Sequence, residues 1–311
     1  VKIPNIASLG RYDSCYIATE DATIPISCPA RLLSERARGL RIVIVCVGGP
    51  RGTGDAGELD AVMDRLGCDY LFGGVLPGPP GPLSASLPLS ARGSDEEHQT
   101  LAVFLEAIRR QARPRRLYLP LGLGGLLSDR ALLEVGLLIF STDTRDIFLY
   151  EEKPAALIPG AVRLRLAQIG ASLPPGASFL PRASPLLLLI GFQRAPHLAG
   201  RLVGFGERLR TTLTLAREWA ATRAWQPQRA FGPRVQPIIQ ETTPGASEIT
   251  ELLGDRIPSL FGSARRMAAA MRRHARSLGQ DHSSERYWLL LPERPSVRPF
   301  VPGLAEAETQ L

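Results

Sequence analysis

Between residues 11 and 150 the apolar positions fall into two regimes, short continuous runs of aliphatic residues and longer stretches with helical spacing. Ile42-Val43-Ile44-Val45-Cys46-Val47 is the clearest run. It is apolar at every position rather than every second one, as in a strand covered on both faces. The same reading places strands at Asp13 to Thr19, Leu40 to Val47, Asp69 to Leu76, Arg116 to Leu119 and Asp146 to Tyr150. Helical spacing predicts helices at Cys28 to Arg38, Gly57 to Leu66, Ser94 to Gln111 and Leu127 to Leu138, the third opened by a capping box of Ser94 and Glu97. Strands and helices alternating in this way build parallel sheets with crossover helices. The expected fold is therefore α/β, a three-layer Rossmann-like, mostly parallel sheet with flanking helices.

Beyond residue 151 the pattern thins. Pro174-Pro175-Gly176 breaks the chain, Gly206 to Thr222 reads as a helix, Arg223 to Gly245 as an irregular Pro-rich connection, and Ala246 to Ser277 as helical with an interruption at Pro258. One domain over 1–311 is expected, with a core at 11–170 and a helical C-terminal extension at 171–311. In an open α/β sheet, ligands bind beyond the carboxyl ends of the strands. Three glycine- or proline-rich loops lie there: Gly48 to Gly54, Pro77 to Gly93, and Gly122 to Gly125. The first has neither the Gly-Lys-Ser/Thr ending of a phosphate loop nor the glycine spacing of a dinucleotide site, so nucleotide binding is disfavoured. Glycines that turn the chain sharply are the simpler explanation.

Composition adds a modest basic excess. The chain has 311 residues and a net charge of +7, and all of its 37 basic residues except Lys2 and Lys153 are arginine. With 44% hydrophobic and 22% charged residues, the composition excludes disordered and collagen-like classes. The arginines alternate with acids, which makes nucleic acid an unlikely partner; the richest stretch, Arg265 to Arg276, reads as a solvated helix face. No apolar run reaches the roughly 18–20 residues of a membrane span, and a secretory signal pattern is missing at Val1 to Asn5, so a cytoplasmic protein is expected. Cys15, Cys28, Cys46 and Cys68 lack C-x-x-C spacing and read as buried free thiols.

With these elements in place, the chain resembles the LmbE-like (PIG-L) family of zinc-dependent N-acetylglucosaminyl deacetylases. The resemblance rests on ordered blocks: IATEDATIPISCPARL at Ile17 to Leu32, LRIVIVCVGGP at Leu40 to Pro50, GELDAVMDRLG at Gly57 to Gly67, LPLGLGGLLSDRAL at Leu119 to Leu132, DIFLYEEKP at Asp146 to Pro154, and SLFGSARRM and SERYW near the end. The family's first motif is Pro-His-x-Asp-Asp and its second ends in Gly-Gly-His-x-Asp-His. Anchored on Ser27-Cys28, the first motif's histidine, base aspartate and ligand aspartate fall on Glu20, Ala22 and Thr23. The second motif falls on Gly124, Gly125, Leu126, Leu127, Ser128 and Asp129, so both histidine ligands are replaced. A two-residue shift puts Glu20 and Asp21 on the aspartate positions, with Ala18 in place of histidine. The four histidines, at 98, 197, 274 and 282, show no zinc-ligand spacing.

The resemblance thus implies a deacetylase fold whose catalytic positions, Glu20, Ala22, Thr23, Leu126, Ser128 and Asp129, are vestigial. Gly48, Gly49, Gly124 and Gly125 would line the old cleft, open to a small sugar-like ligand. The main expectation is no cofactor, and a binding, structural or assembly role with a protein partner in a homo- or hetero-oligomer, an active relative being one candidate partner. The alternative is a metal-dependent hydrolase of an N-acylated sugar or related amide, with Glu20, Asp21 and Asp129 as an all-oxygen set for Zn²⁺ or Mg²⁺. Other chemistries are weaker. The Gly-x-Ser-x-Gly elbow is missing, Cys28 sits beside an apolar helix start, and Asp95-Glu96-Glu97-His98 suits a helix N-terminus.

Overall fold

A computed structural model describes residues 1–19, 23–49, 56–76, 95–123, 127–140, 145–153, 155–157, 161–169, 171, 234–241, 269, 271–272, 276 and 284–291. Its strands are β1 (Lys2–Ile3), β2 (Ser14–Ala18), β3 (Ile42–Gly48), β4 (Asp69–Leu76), β5 (Arg116–Pro120), β6 (Asp146–Tyr150), β7 (Arg234–Glu241) and β8 (Ser284–Leu291). Its α-helices are α1 (Thr23–Ser27), α2 (Pro29–Ala37), α3 (Ala56–Leu66), α4 (Asp95–Ala112), α5 (Leu127–Phe140) and α6 (Ala161–Gln168). The strands form one sheet in the order β1-β4-β3-β2-β5-β6-β8-β7. Strands β1 to β6 run parallel, and β8 joins β6 antiparallel.

Both faces of the sheet are covered, and the two-residue period of the strands sorts their side chains into separate cores. Cys15 and Ile17 of β2 and Val43, Val45 and Val47 of β3 pack with α4, α5 and α6. Their alternates Tyr16, Ala18, Ile42, Ile44 and Cys46 face α1, α2 and α3. This is the expected three-layer arrangement, and it explains why the β3 run has no polar position. All four cysteines are free and buried. No described helix is long and apolar enough to cross a membrane.

The helix expected at Cys28 to Arg38 is α2, capped by those two residues, with Pro29 at its first position, where a missing N–H costs nothing. The short α1 before it was not expected, and one expectation is corrected. The stretch expected to be an irregular connection contains β7, which includes Pro237. Strand β7 tolerates it because it is the last strand of the sheet, with one side unpaired. The helix expected at Gly206 to Thr222 lies outside the described residues, as does most of the helical stretch at Ala246 to Ser277.

The antiparallel β7–β8 pair is fixed through buried groups. Trp288 is fully buried and its Nε1 donates to Glu151 Oε1 (2.9 Å), which also accepts from Arg286 Nε. Charges removed from water in this way persist only when paired. Trp288→Ala is expected to lower unfolding free energy in urea by about 3–5 kcal/mol, the usual loss for an emptied tryptophan site.

Candidate functional site

The chain reverses its direction of growth across the sheet between β2 and β5. The elements β2, β3 and β4 extend one way from that junction, and β5 and β6 the other. Such a switch point leaves a crevice at the carboxyl ends of the two strands, the usual place for a ligand in this class of sheet. The residues that follow β2, β5 and β6 therefore define the candidate site.

Thr19 follows β2, and its hydroxyl donates to Asp129 Oδ1 at the start of α5 in a short, buried hydrogen bond. The two blocks carrying the family resemblance thus converge in space across 110 residues. Glu152 follows β6. Its Oε1 accepts the backbone N–H groups of Gly122 (2.7 Å) and Leu123 (2.8 Å), which fixes the turn leaving β5. Lys153 is also buried; its backbone N–H donates to Ser27 Oγ (2.9 Å) and its Nζ to the Ser27 carbonyl (3.3 Å). At the start of α2, the Glu285 carboxylate accepts the N–H groups of Ala30 (2.7 Å) and Arg31 (3.1 Å) and the Tyr287 hydroxyl (2.6 Å). A carboxylate there satisfies donors that the helix itself cannot and faces the positive end of its dipole.

The electrostatics follow from this burial. Desolvation, reinforced by the charge on Asp129, pushes the Glu152 carboxyl up to about 8. Burial also raises Glu285, opposed by Lys153 and its hydrogen bonds. Cys28, between α1 and α2, is held well above the usual thiol range by burial, which leaves it protonated and unreactive.

The sequence-expected residues divide as follows. Asp129 is buried in the cluster. Gly48 ends β3 against Thr19: its N–H donates to the Thr19 carbonyl (3.2 Å), and a Cβ there would stand 2.7 Å from that oxygen. A close approach of two strands thus requires this glycine. Gly49 is half-buried, with nothing within 4 Å of where its Cβ would stand. Thr23 and Ser128 lie in α1 and α5, with side chains outside the description. Glu20, Asp21, Ala22, Gly124, Gly125 and Leu126 lie outside the described residues. His98 is on α4, with Nε2 3.4 Å from Glu134 of α5 on the outer surface.

Sequence reasoning passed over Thr19, Ser27, Glu152, Lys153 and Glu285 as site residues. A signal was available for two of them. Glu152 and Lys153 are ionisable residues directly beyond a strand with four buried positions, at the end where such sheets bind ligands. Among the described residues, no three His, Cys, Asp or Glu side chains are grouped so as to hold a metal ion. Of the all-oxygen set expected for a divalent cation, only Asp129 is described.

No protein-family model matches the chain, and no curated protein matches it. Solved structures do. The zinc-inhibited form of the teicoplanin deacetylase Orf2 superimposes with a TM-score of 0.54 at 14% identity, over 91% of this chain and 99% of that one. The A40926 pseudoaglycone deacetylase Dbv21 gives 0.50 at 12% identity, over 91% and 99%. At these identities the likeness is one of fold: the chain has the Rossmann-like architecture of these deacetylases.

The Glu152 carboxyl makes the stability of the protein depend on pH. The folded state keeps a proton that the unfolded chain releases above about pH 4.3, so stability falls as pH rises from there towards about 8. Glu152→Gln retains an acceptor for Gly122 and Leu123 but carries no charge. Its unfolding free energy should exceed that of the parent by more at pH 8 than at pH 5, and an equal difference at both would contradict the assigned protonation.

Proposed function

We propose that the chain is a deacetylase-type scaffold whose metal-binding positions have degenerated, and that it serves as a binding or assembly subunit for a protein partner. One observation carries this reading. Asp129, the acidic residue standing at the last ligand position of the second motif, is buried and accepts the hydroxyl of Thr19 from the strand end where the first motif begins. Each described carboxylate of the cluster has a similar internal duty. Glu152 holds the turn after β5, and Glu285 holds the start of α2. Asp129 Oδ1, Glu152 Oε1 and the Glu285 carboxylate are thus engaged in tying chain segments together, and Glu152 Oε2 is the cluster's buried carboxylate oxygen without a hydrogen-bond partner among the described residues. A crevice of this kind is suited to presenting fixed loops to a partner.

A second reading has its own support. A buried carboxyl that keeps its proton into the neutral range beside another acid is the usual make-up of a general acid. In that reading Glu20, Asp21 and Asp129 position a divalent cation, and the chain hydrolyses an N-acylated sugar or related amide.

Elemental analysis of the protein as purified, with an acetyl-amide hydrolysis assay in added zinc, separates the two. The scaffold reading expects neither bound metal in molar proportion nor turnover. Metal near one equivalent, with turnover abolished by Asp129→Ala, would establish the hydrolase instead.

A further inference from the structure

The opposite end of the sheet differs in composition. The parallel strands start in register, Ser14 pairing with Ile42 and Arg116, Val43 with Asp69, and Arg116 with Asp146. The residues just before these starts, Arg41, Asp13, Arg115 and Arg145, therefore stand on successive strands about 4.8 Å apart. Backbone hydrogen bonds from Asp13 to Arg41 (2.9 Å), Arg116 to Asp13 (3.0 Å) and Asp146 to Arg115 (3.2 Å) hold the row. Helices α2, α3 and α4 lead into β3, β4 and β5, so their last turns reach the same edge and bring Arg38, Arg65 and Arg110. Arg11, Arg38 and Arg115 are exposed and have no ion pair among the described residues. The nearby acids have fixed tasks: Asp13 accepts the Arg41 N–H, Asp69 the Tyr12 hydroxyl, and Glu106 binds Arg109 and Arg110.

Arginines at helix C-termini are favourable for the dipole, which explains Arg36, Arg65 and Arg110. It does not explain Arg11, Arg41 and Arg115, which precede strands. Arg113 is more informative. The chain leaving α2 and α3 turns through a left-handed residue, and both times that residue is glycine: Gly39 at φ +71° and Gly67 at φ +63°. At the end of α4 the same role falls to Arg113, at φ +42°. A non-glycine residue is strained in this conformation, and Arg113 holds it while its Nε donates to the Arg110 carbonyl at the end of α4 (3.1 Å), which fixes the guanidinium at this edge.

We propose that this arginine edge docks an acidic polypeptide segment of a partner protein. Guanidinium groups pair two-pronged with carboxylates, and Arg11, Arg38 and Arg115, which make no ion pair among the described residues, stand at this one edge of the sheet. The large apolar residues exposed among the described ones are Val1, Val103 and Leu138, and Tyr12 is buried beneath Arg41, so the edge has no aromatic platform for nucleic-acid bases. The exposed Asp64 and Asp146 interrupt the positive field, which disfavours a continuous phosphate backbone but sets a register for a peptide. This surface is at the far end of the sheet from Asp129, so the proposal stands whichever reading of that site holds.

The test is fluorescence anisotropy of a labelled poly-glutamate peptide titrated with the full chain at low salt. Arg38→Glu with Arg115→Glu should weaken binding at least about tenfold, since two attractions become repulsions. The control, Arg272→Glu with Arg276→Glu, makes the same change in net charge at exposed arginines of a segment that leads into none of the parallel strands. It should weaken binding less than about twofold. Arg113→Gly should weaken binding severalfold while raising the Tm. Equal losses in the two double variants would reduce the effect to net charge and overturn the proposal. So would tighter binding of a DNA duplex carrying the same charge, which would make the edge a nucleic-acid surface.

Discussion

Covering a parallel sheet on both faces imposes one constraint on everything at its ends: polar groups drawn inside the layers must find partners within the protein. An unpaired charge there costs several kcal/mol. In this chain the constraint is met at the switch point by Thr19 and Asp129, which tie the end of β2 to the start of α5. Around that bond the same rule recurs. Glu152 is held by two backbone N–H groups, Lys153 by Ser27, Glu285 by the start of α2, and Glu151 by Arg286 and Trp288. These contacts tie the described residues of the candidate site together, and the last two anchor the β7–β8 pair.

The central strands and their helices were legible in the sequence because burial on both faces leaves an unambiguous mark. Ile42 to Val47 cannot be anything but an inner strand, and Asp69 to Leu76 and Asp146 to Tyr150 emerge with the bounds expected. The outer strands were harder. In β7 and β8, Pro237 and the charged Arg234, Glu241, Glu285 and Arg286 hide strands whose place comes from pairing, β8 with β6 and β7 with β8, rather than from local preference. The site was legible only in part. Asp129 was found through its place in a motif, whereas Glu285 acts 255 residues away from the helix it caps, a relation no local pattern records. Thr19 was missed because a threonine at a strand end is unremarkable until its acceptor is known.

The two ends of the sheet have opposite characters. One holds carboxylates inside, each bound to a backbone or side-chain donor; the other carries arginines outside, of which Arg11, Arg38 and Arg115 make no ion pair among the described residues. The architecture, shared in fold with the teicoplanin and A40926 pseudoaglycone deacetylases, thus carries hydrogen-bonded carboxylates at one end of the sheet and exposed arginines at the other. Fold alone does not carry catalysis, which depends on particular groups at the strand ends.

The central claim is that internal hydrogen bonds have taken the place of a metal at the switch point. Thermal unfolding with and without saturating zinc or magnesium tests it most directly, because any ion bound by the folded state alone raises the Tm by an amount that grows with the logarithm of its concentration over its Kd. The account predicts an unchanged Tm for the parent chain. A rise that grows with metal concentration and disappears in Asp129→Ala would contradict it.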